Sequence, residues 1–181
     1  ARRQLEVVLG APQPLLGQAY LHRGGAHAVP PTAASRVHPV GPLLWSPPPS
    51  EALRAWLGDL PRPPVYLHAA ARFGGPGFWD VALEALADRP VAAPTGRMDH
   101  RPRSTPSGWF VRPHVHAGAV LRKAACVVAS GTTTTGLGAL THGVPAVLLP
   151  GGSEQGAVAR LLGAEGLGVA LPLHGLTAAA L

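Results

Sequence analysis

Six apolar runs of only four or five residues are spaced along the chain between stretches of helical periodicity, and no other feature limits its folding as much. They are PVYLH (Pro64 to His68), RPVAA (Arg89 to Ala93), WFVR (Trp109 to Arg112), ACVVA (Ala125 to Ala129), AVLL (Ala146 to Leu149) and GVAL (Gly168 to Leu171). Such runs, apolar on both faces, are too short for helices and suit strands buried on both sides. Ser50 is placed to cap a helix with Leu53, Trp56 and Leu57 on one face. Trp79, Ala82, Leu83 and Leu86 give helical spacing between Gly77 and Asp88. Further helices are expected at Ala119 to Lys123, at Thr134 to His142 closed by Gly143, and at Glu154 to Leu162 with Val158, Leu161 and Leu162 inward. Strands alternating with helices define an α/β chain with a doubly wound parallel sheet and helices on both faces.

The segment before Ser50 breaks this rhythm. Leu5 to Leu9 (LEVVL) reads as a strand, but Pro30 to Pro49 is dense in proline, which resists helix and inner-strand pairing, so it reads as a linker. The chain begins at Ala1 without methionine and ends in the helix-like LTAAAL, and both ends are read as cuts in a longer protein.

Composition narrows the function classes. The net charge is +6, but its fifteen basic residues, all arginine except Lys123, are scattered, and aromatic residues make up only 5%. A nucleic-acid surface needs a basic stripe with stacking aromatics, so no nucleic-acid partner is expected and a small anionic ligand fits as well. The single cysteine, Cys126, excludes a disulfide framework, and metal-ligand spacing is absent. The expected compartment is the cytoplasm. No apolar run approaches the ~20 residues of a membrane helix, so no transmembrane segment is expected.

In a parallel α/β sheet, ligands bind at the carboxyl ends of the strands beside helix N-termini. Two such ends carry polar groups. After ACVVA comes Ser130-Gly131-Thr132-Thr133, where helix-start N–H groups and hydroxyls can hold a phosphate; Ser and Thr at such a place also serve simply as caps. After AVLLP comes Gly151-Gly152-Ser153-Glu154-Gln155, whose carboxylate and amide can bind neighbouring sugar hydroxyls, although first-turn acids also serve the helix dipole. Gly131, Gly136 and Gly138 do not have the spacing of a dinucleotide fingerprint, and no P-loop lysine is present.

From Val40 onward the order of motifs resembles the C-terminal half of family 1 glycosyltransferases of the GT-B fold, the bacterial macrolide and antibiotic type. The residues carrying the resemblance are Val40-Gly41-Pro42, Trp56-Leu57, RPHVHA at Arg112 to Ala117, SGTTTTGLGALTHGVP at Ser130 to Pro145, and PGGSEQGAVA at Pro150 to Ala159. The resemblance implies one Rossmann-like half of a GT-B fold. Residues 1–29 would be the tail of an N-terminal acceptor domain, 30–49 the interdomain linker, and 50–181 the donor-binding domain. It further implies a hexosyltransferase-type enzyme that takes a UDP- or dTDP-sugar and passes the glycosyl group to an acceptor hydroxyl of a small molecule or lipid. The nucleotide sugar is a substrate, and neither cofactor nor metal is needed. By position, Ser130, Gly131, Thr132 and Thr133 would face the diphosphate, His114 and Val115 the base, and Glu154 and Gln155 the sugar. Arg72 and Arg97 are candidates for added charge. The catalytic base would belong to the missing N-terminal domain, leaving this chain alone inactive.

The departures from the family pattern raise an alternative. Ser130 replaces a histidine, Gly138 a glutamate, Val158 an asparagine, and His116-Ala117 a Pro-Gln pair. A degenerate, non-catalytic homologue acting as a binding or activating subunit accounts for those losses.

Overall fold

The computed structural model describes residues 20–22, 37–39, 48–68, 77–96, 102–152 and 155–181. These belong to two units, residues 1–43 and 44–181. In the first, β1 (Tyr20–His22) pairs in parallel with β2 (Val37–Pro39), Tyr20 lying opposite Val37. β2 lies inside the proline-rich stretch, and in this two-stranded sheet it is an edge strand, the position that tolerates a proline's missing N–H. The run Leu5 to Leu9 lies outside the described residues.

The second unit realises the alternation read from the sequence. Its elements are α1 (Glu51–Gly58), β3 (Val65–His68), α2 (Phe78–Ala85), β4 (Val91–Pro94), β5 (Trp109–Arg112), α3 (Ala117–Leu121), β6 (Cys126–Ala129), α4 (Thr133–Thr141), β7 (Ala146–Leu148), α5 (Gln155–Ala164) and β8 (Gly168–Ala170). The strands form one six-stranded sheet in the order β5-β4-β3-β6-β7-β8, each neighbouring pair parallel. The chain starts in the middle, winds outward to β5, returns to place β6 beside β3, and winds outward again to β8. This is the doubly wound Rossmann-like order.

The sheet's side chains alternate between two cores. Tyr66, Ala92, Phe110, Val127, Ala129, Ala146 and Leu148 pack against Leu53 and Leu57 of α1, Ala119 to Leu121 of α3, Ala139 of α4, and Ala159 and Leu162 of α5. Val65, Leu67, Val91, Ala93, Val128 and Leu149 pack against Phe78, Trp79 and Ala82 of α2, with Leu171, Leu173 and Leu176 beyond β8 adding to them. Local signals set the helix ends. The Ser50 hydroxyl accepts a hydrogen bond from the Leu53 N–H at 3.2 Å, a cap whose loss typically costs about 1 kcal/mol. Lys123 ties α1 to the end of α3 by donating to the Leu57 carbonyl at 3.0 Å.

One inward assignment fails. Leu161 is 54% exposed, because α5 buries Gln155, Ala159 and Leu162, a stripe at i, i+4 and i+7 that leaves Leu161 a helical step to one side. The buried stripe thus begins at a polar residue, which an apolar count passes over.

The helices cross tightly at glycines. A Cβ at Gly136 of α4 would stand 2.8 Å from Cγ1 of Val158 on α5, and one at Gly138 would stand 3.2 Å from Cδ1 of Leu121 on α3. An exposed helical Gly→Ala substitution typically gains about 1 kcal/mol, whereas overpacking costs about 1 to 3 kcal/mol. The β-branched Val158 has little rotamer freedom to retreat. Gly136→Ala is therefore expected to lower stability by roughly 1 kcal/mol in urea denaturation, and adding Val158→Ala is expected to recover most of that loss. A gain in the single variant would show that the α4–α5 contact has slack.

Candidate functional site

Strand order reverses between β3 and β6, the position at which open parallel α/β sheets take their ligands. The Ser130 N–H donates to the His68 carbonyl at 3.3 Å, joining the two strand ends. β4 ends at the same level on the other side of β3, followed by Thr95, whose N–H donates to the Arg112 carbonyl at 2.9 Å.

Three buried polar atoms cluster by position at these ends. The Ser130 hydroxyl, the Thr95 hydroxyl and Nδ1 of His68 are sealed from solvent and have no hydrogen-bond partner among the described residues. Ser130 is 5% and Thr95 3% exposed. By strand alternation both lie on the α2 side of the sheet, while His68 follows Tyr66 on the other side, where the two rings stack with centroids 6.2 Å apart. Each unpaired polar group forfeits about 1 to 3 kcal/mol. Nε1 of Trp79 and of Trp109 are likewise buried without a partner among the described residues. Burial lowers the pKa of His68, keeping the imidazole neutral, and raises those of the Tyr66 phenol and the Cys126 thiol.

The turn after β6 has a definite construction. Gly131 takes φ +79°, a left-handed conformation, and a Cβ there would stand 3.4 Å from the Gln155 carbonyl oxygen, so the residue is constrained by both backbone and space. Thr132 is the N-cap of α4: its hydroxyl accepts from the Thr135 N–H at 3.4 Å and is hydrogen-bonded to the Thr135 hydroxyl. The helix begins at Thr133, one residue earlier than the spacing suggested. The other N–H groups of this first turn have no intrahelical acceptor and carry the positive end of the helix dipole, an arrangement suited to an anion.

The close approach of Gly131 to Gln155 brings together the two strand ends singled out in the sequence. Gln155 is 2% exposed, and its Oε1 accepts from the Gly151 N–H at 2.9 Å, so this amide shapes the turn after β7. Glu154, Arg72 and Arg97 lie outside the described residues. Beside this turn, a cleft of about 660 Å³ runs between Gly77, Phe78 and Val81 of the α2 start, Pro150 and Gly151, and the segment Pro172 to Leu176.

The expected base-binding loop follows the edge strand β5. His114 is exposed, while Val115 is half-buried against the α1/α3/α4 core. Phe110, a conceivable substitute for a stacking ring, is 6% exposed and already flanked by Trp56, 5.5 Å between centroids, and by the Arg112 guanidinium at 4.8 Å. His116 caps α3, its Nδ1 accepting from the Ala119 N–H at 2.9 Å. Gly138, where the resembled family carries glutamate, is buried against Leu121.

Sequence reading passed over Thr95 and the capping role of His116. A signal for Thr95 was present: in VAAPT, as in CVVAS, an apolar strand ends in a hydroxyl. Among the described residues, no group of three or more His, Cys, Asp or Glu side chains is placed to hold a metal ion, and no helix is long and apolar enough to cross a membrane.

No protein-family model and no curated protein sequence matches the chain. Solved structures do. CalG4, the calicheamicin glycosyltransferase, is similar with a TM-score of 0.69 and 25% identity over 98% of this chain and 48% of that one. The spinosyn forosaminyltransferase SpnP has a TM-score of 0.70 and 21% identity over 96% of this chain and 48% of its own. The glycosyltransferase VinC, solved in complex with DTDP, has a TM-score of 0.60 and 22% identity over 76% and 34%. The fold is thus that of GT-B glycosyltransferases, and its solved likenesses include antibiotic glycosyltransferases. The chain spans less than half the length of these structures.

The His68 pKa has a consequence for stability. A histidine whose folded pKa is lowered by burial favours the unfolded state once that state binds a proton, so its contribution is kept above the unfolded pKa and lost as pH falls through it. Chemical denaturation at pH 8 and pH 5 is expected to show a smaller acid loss for His68→Phe than for the wild type. Equal losses would mean that His68 takes up its proton without hindrance in the folded chain.

Proposed function

We propose that this chain is the donor-binding half of a glycosyltransferase, receiving a nucleotide-diphosphate sugar at the carboxyl ends of β3, β6 and β7. The observation that carries this reading is the coincidence of the strand-order reversal with the α4 N-terminus, whose first-turn N–H groups lack intrahelical acceptors. A diphosphate supplies the acceptor oxygens that such a set of donors lacks. The DTDP in the VinC structure supports a nucleoside diphosphate as the ligand class.

In the reaction, an acceptor hydroxyl oxygen attacks the anomeric carbon as the bond to the diphosphate oxygen breaks. The bonding electrons leave with the diphosphate, and the acceptor proton passes to a base. This chain's contribution is to hold the departing negative charge with the N–H groups opening α4, fixed dipoles that need no reorganisation as the charge develops. The base and the acceptor pocket are assigned to a second domain. Gln155, which opens α5, and its sequence neighbour Glu154 are assigned to the sugar. Gln155 does so by holding the Gly151 turn, and Glu154 by hydrogen bonds to the hydroxyls.

A second reading rests on the turning of Ser130 into the sheet and the packing of Gly138 against Leu121, which leave few side chains for the ligand. On that reading the chain binds a nucleotide without supporting transfer.

Calorimetric titration with uridine and thymidine diphosphates and their sugars tests the shared claim. Binding at sub-millimolar concentration is expected, with Glu154→Ala weakening the sugar nucleotide several-fold and the free diphosphate little. Absence of heat with every ligand, from a folded sample, contradicts donor binding. Equal losses for both ligands remove Glu154 from the sugar site.

A further inference from the structure

The two edges of the six-stranded sheet are finished differently. At β5 the Arg112 guanidinium donates to the Val111 carbonyl at 2.8 Å, and the Trp56 indole N–H donates to the Gly108 carbonyl, just before the strand, at 3.2 Å. Side chains of the chain itself thus take up acceptors along that edge, and a charged side chain on an unpaired strand is a usual way of keeping it single. β8 forms the opposite edge. There the Ala146 N–H donates to the Leu167 carbonyl at 3.4 Å and the Leu171 N–H donates to the Leu148 carbonyl at 2.8 Å, so the peptide groups of residues 167, 169 and 171 face β7. Period-two alternation turns the N–H and C=O of Gly168 and Ala170 outward. These two donors and two acceptors have no partner among the described residues.

The side chains follow the same period. Leu171 packs with Val147 on the α2 side of the sheet, and Val169 lies opposite Val147 in register, so Leu167, Val169 and Leu171 form one apolar row on that side. Val169 is 55% and Leu167 44% exposed, whereas the packed Leu171 is half-buried. On the other side stand the small Gly168 and Ala170. The stretch Leu167 to Leu171 (LGVAL) contains neither a charge nor a proline, the devices that discourage pairing at an edge.

This stretch is complementary to itself. In an antiparallel pair centred on Val169, Gly168 of each copy exchanges both N–H···O bonds with Ala170 of the other, and all four outward groups of each copy are satisfied. Val169 then meets Val169 at the closer spacing of a non-hydrogen-bonded pair, and Leu167 meets Leu171, so the apolar row continues across the two-fold axis. A strand of unrelated sequence would satisfy the backbone alone, whereas a second copy satisfies the backbone and the row together, as an isologous interface requires.

We propose that β8 is a self-association edge, at which two copies of this chain pair antiparallel about Val169 and join their six-stranded sheets into one. Five residues a side are few against the ~20 to 30 of a stable interface, so the pairing is reversible, half-complete at about 10 to 100 µM. The contact runs along the side of the sheet and leaves the carboxyl ends of β3, β6 and β7 open.

The test is sedimentation velocity of the 181-residue chain across that concentration range, comparing the wild type with Val169→Lys and with Leu161→Lys. Leu161 is as exposed as Val169 but lies on α5, outside the proposed contact. The wild type and Leu161→Lys are expected to dimerise alike, and Val169→Lys, which sets two lysines against each other, to associate at least tenfold more weakly. Circular dichroism establishes that each protein is folded. Oxidative cross-linking locates the contact without depending on the charged variants: in a Cys126→Ala background, Val169→Cys is expected to give a disulfide-linked dimer and Leu161→Cys none. A wild type that stays monomeric throughout overturns the second copy as occupant of this edge. Dimers that survive Val169→Lys unweakened, or that form no disulfide through Val169→Cys, overturn β8 as the contact.

Discussion

The second unit depends on parallel pairing between β3 and β6. These strands lie far apart in sequence, and every other strand is added outward from one of them. Their register, Val65 opposite Cys126 through His68 opposite Ala129, places both carboxyl ends at one level. The strand order runs outward in opposite directions from the two, and at such a reversal open parallel sheets form a crevice. The crevice is therefore a consequence of topology, and the residues at its floor are those one position past the strand ends.

That constraint explains why polar groups appear in an otherwise apolar sheet. Ser130 and Thr95 follow four-residue strands and are almost wholly enclosed, yet neither hydroxyl is paired among the described residues. The turn between them and the helix N-terminus is shaped by Gly131, whose position against the Gln155 carbonyl makes the ends of β6 and β7 one surface. Helix packing sets the other side of the arrangement. Gly136 and Gly138 let α4 approach α5 and α3 closely, so the α4 N-terminus is held by contacts a turn or more away from it.

Much of this was legible in the sequence because it rests on periodicity. The six apolar runs became β3 to β8, and the Ser50 cap and the face of α2 follow from spacing that the core must satisfy. The boundaries and side-chain assignments that went astray have local causes. Leu161 was assigned inward because an apolar residue was preferred to Gln155, although the amide could be buried by bonding the Gly151 N–H. The start of α4 was placed late because four consecutive threonines give no contrast between cap and helix, and the bond from the Thr135 N–H to Thr132 decides it. His116 looked like a departure from the family's Pro-Gln pair, whereas the fold uses it as a cap. Contacts between distant segments, such as Gly138 with Leu121, leave no trace in local spacing.

The account's central claim is that the carboxyl ends of β3, β6 and β7 form one anion-holding surface. Backbone amide shift mapping during titration with a nucleoside diphosphate tests it most directly. The expected result is a set of perturbed amides confined to Gly131 to Thr135, the 113–116 loop and the turn around Gly151. Perturbations centred instead on Trp56, Arg62, Arg89 and Gly108, which line a groove beside the amino ends of β4 and β5, would contradict the account.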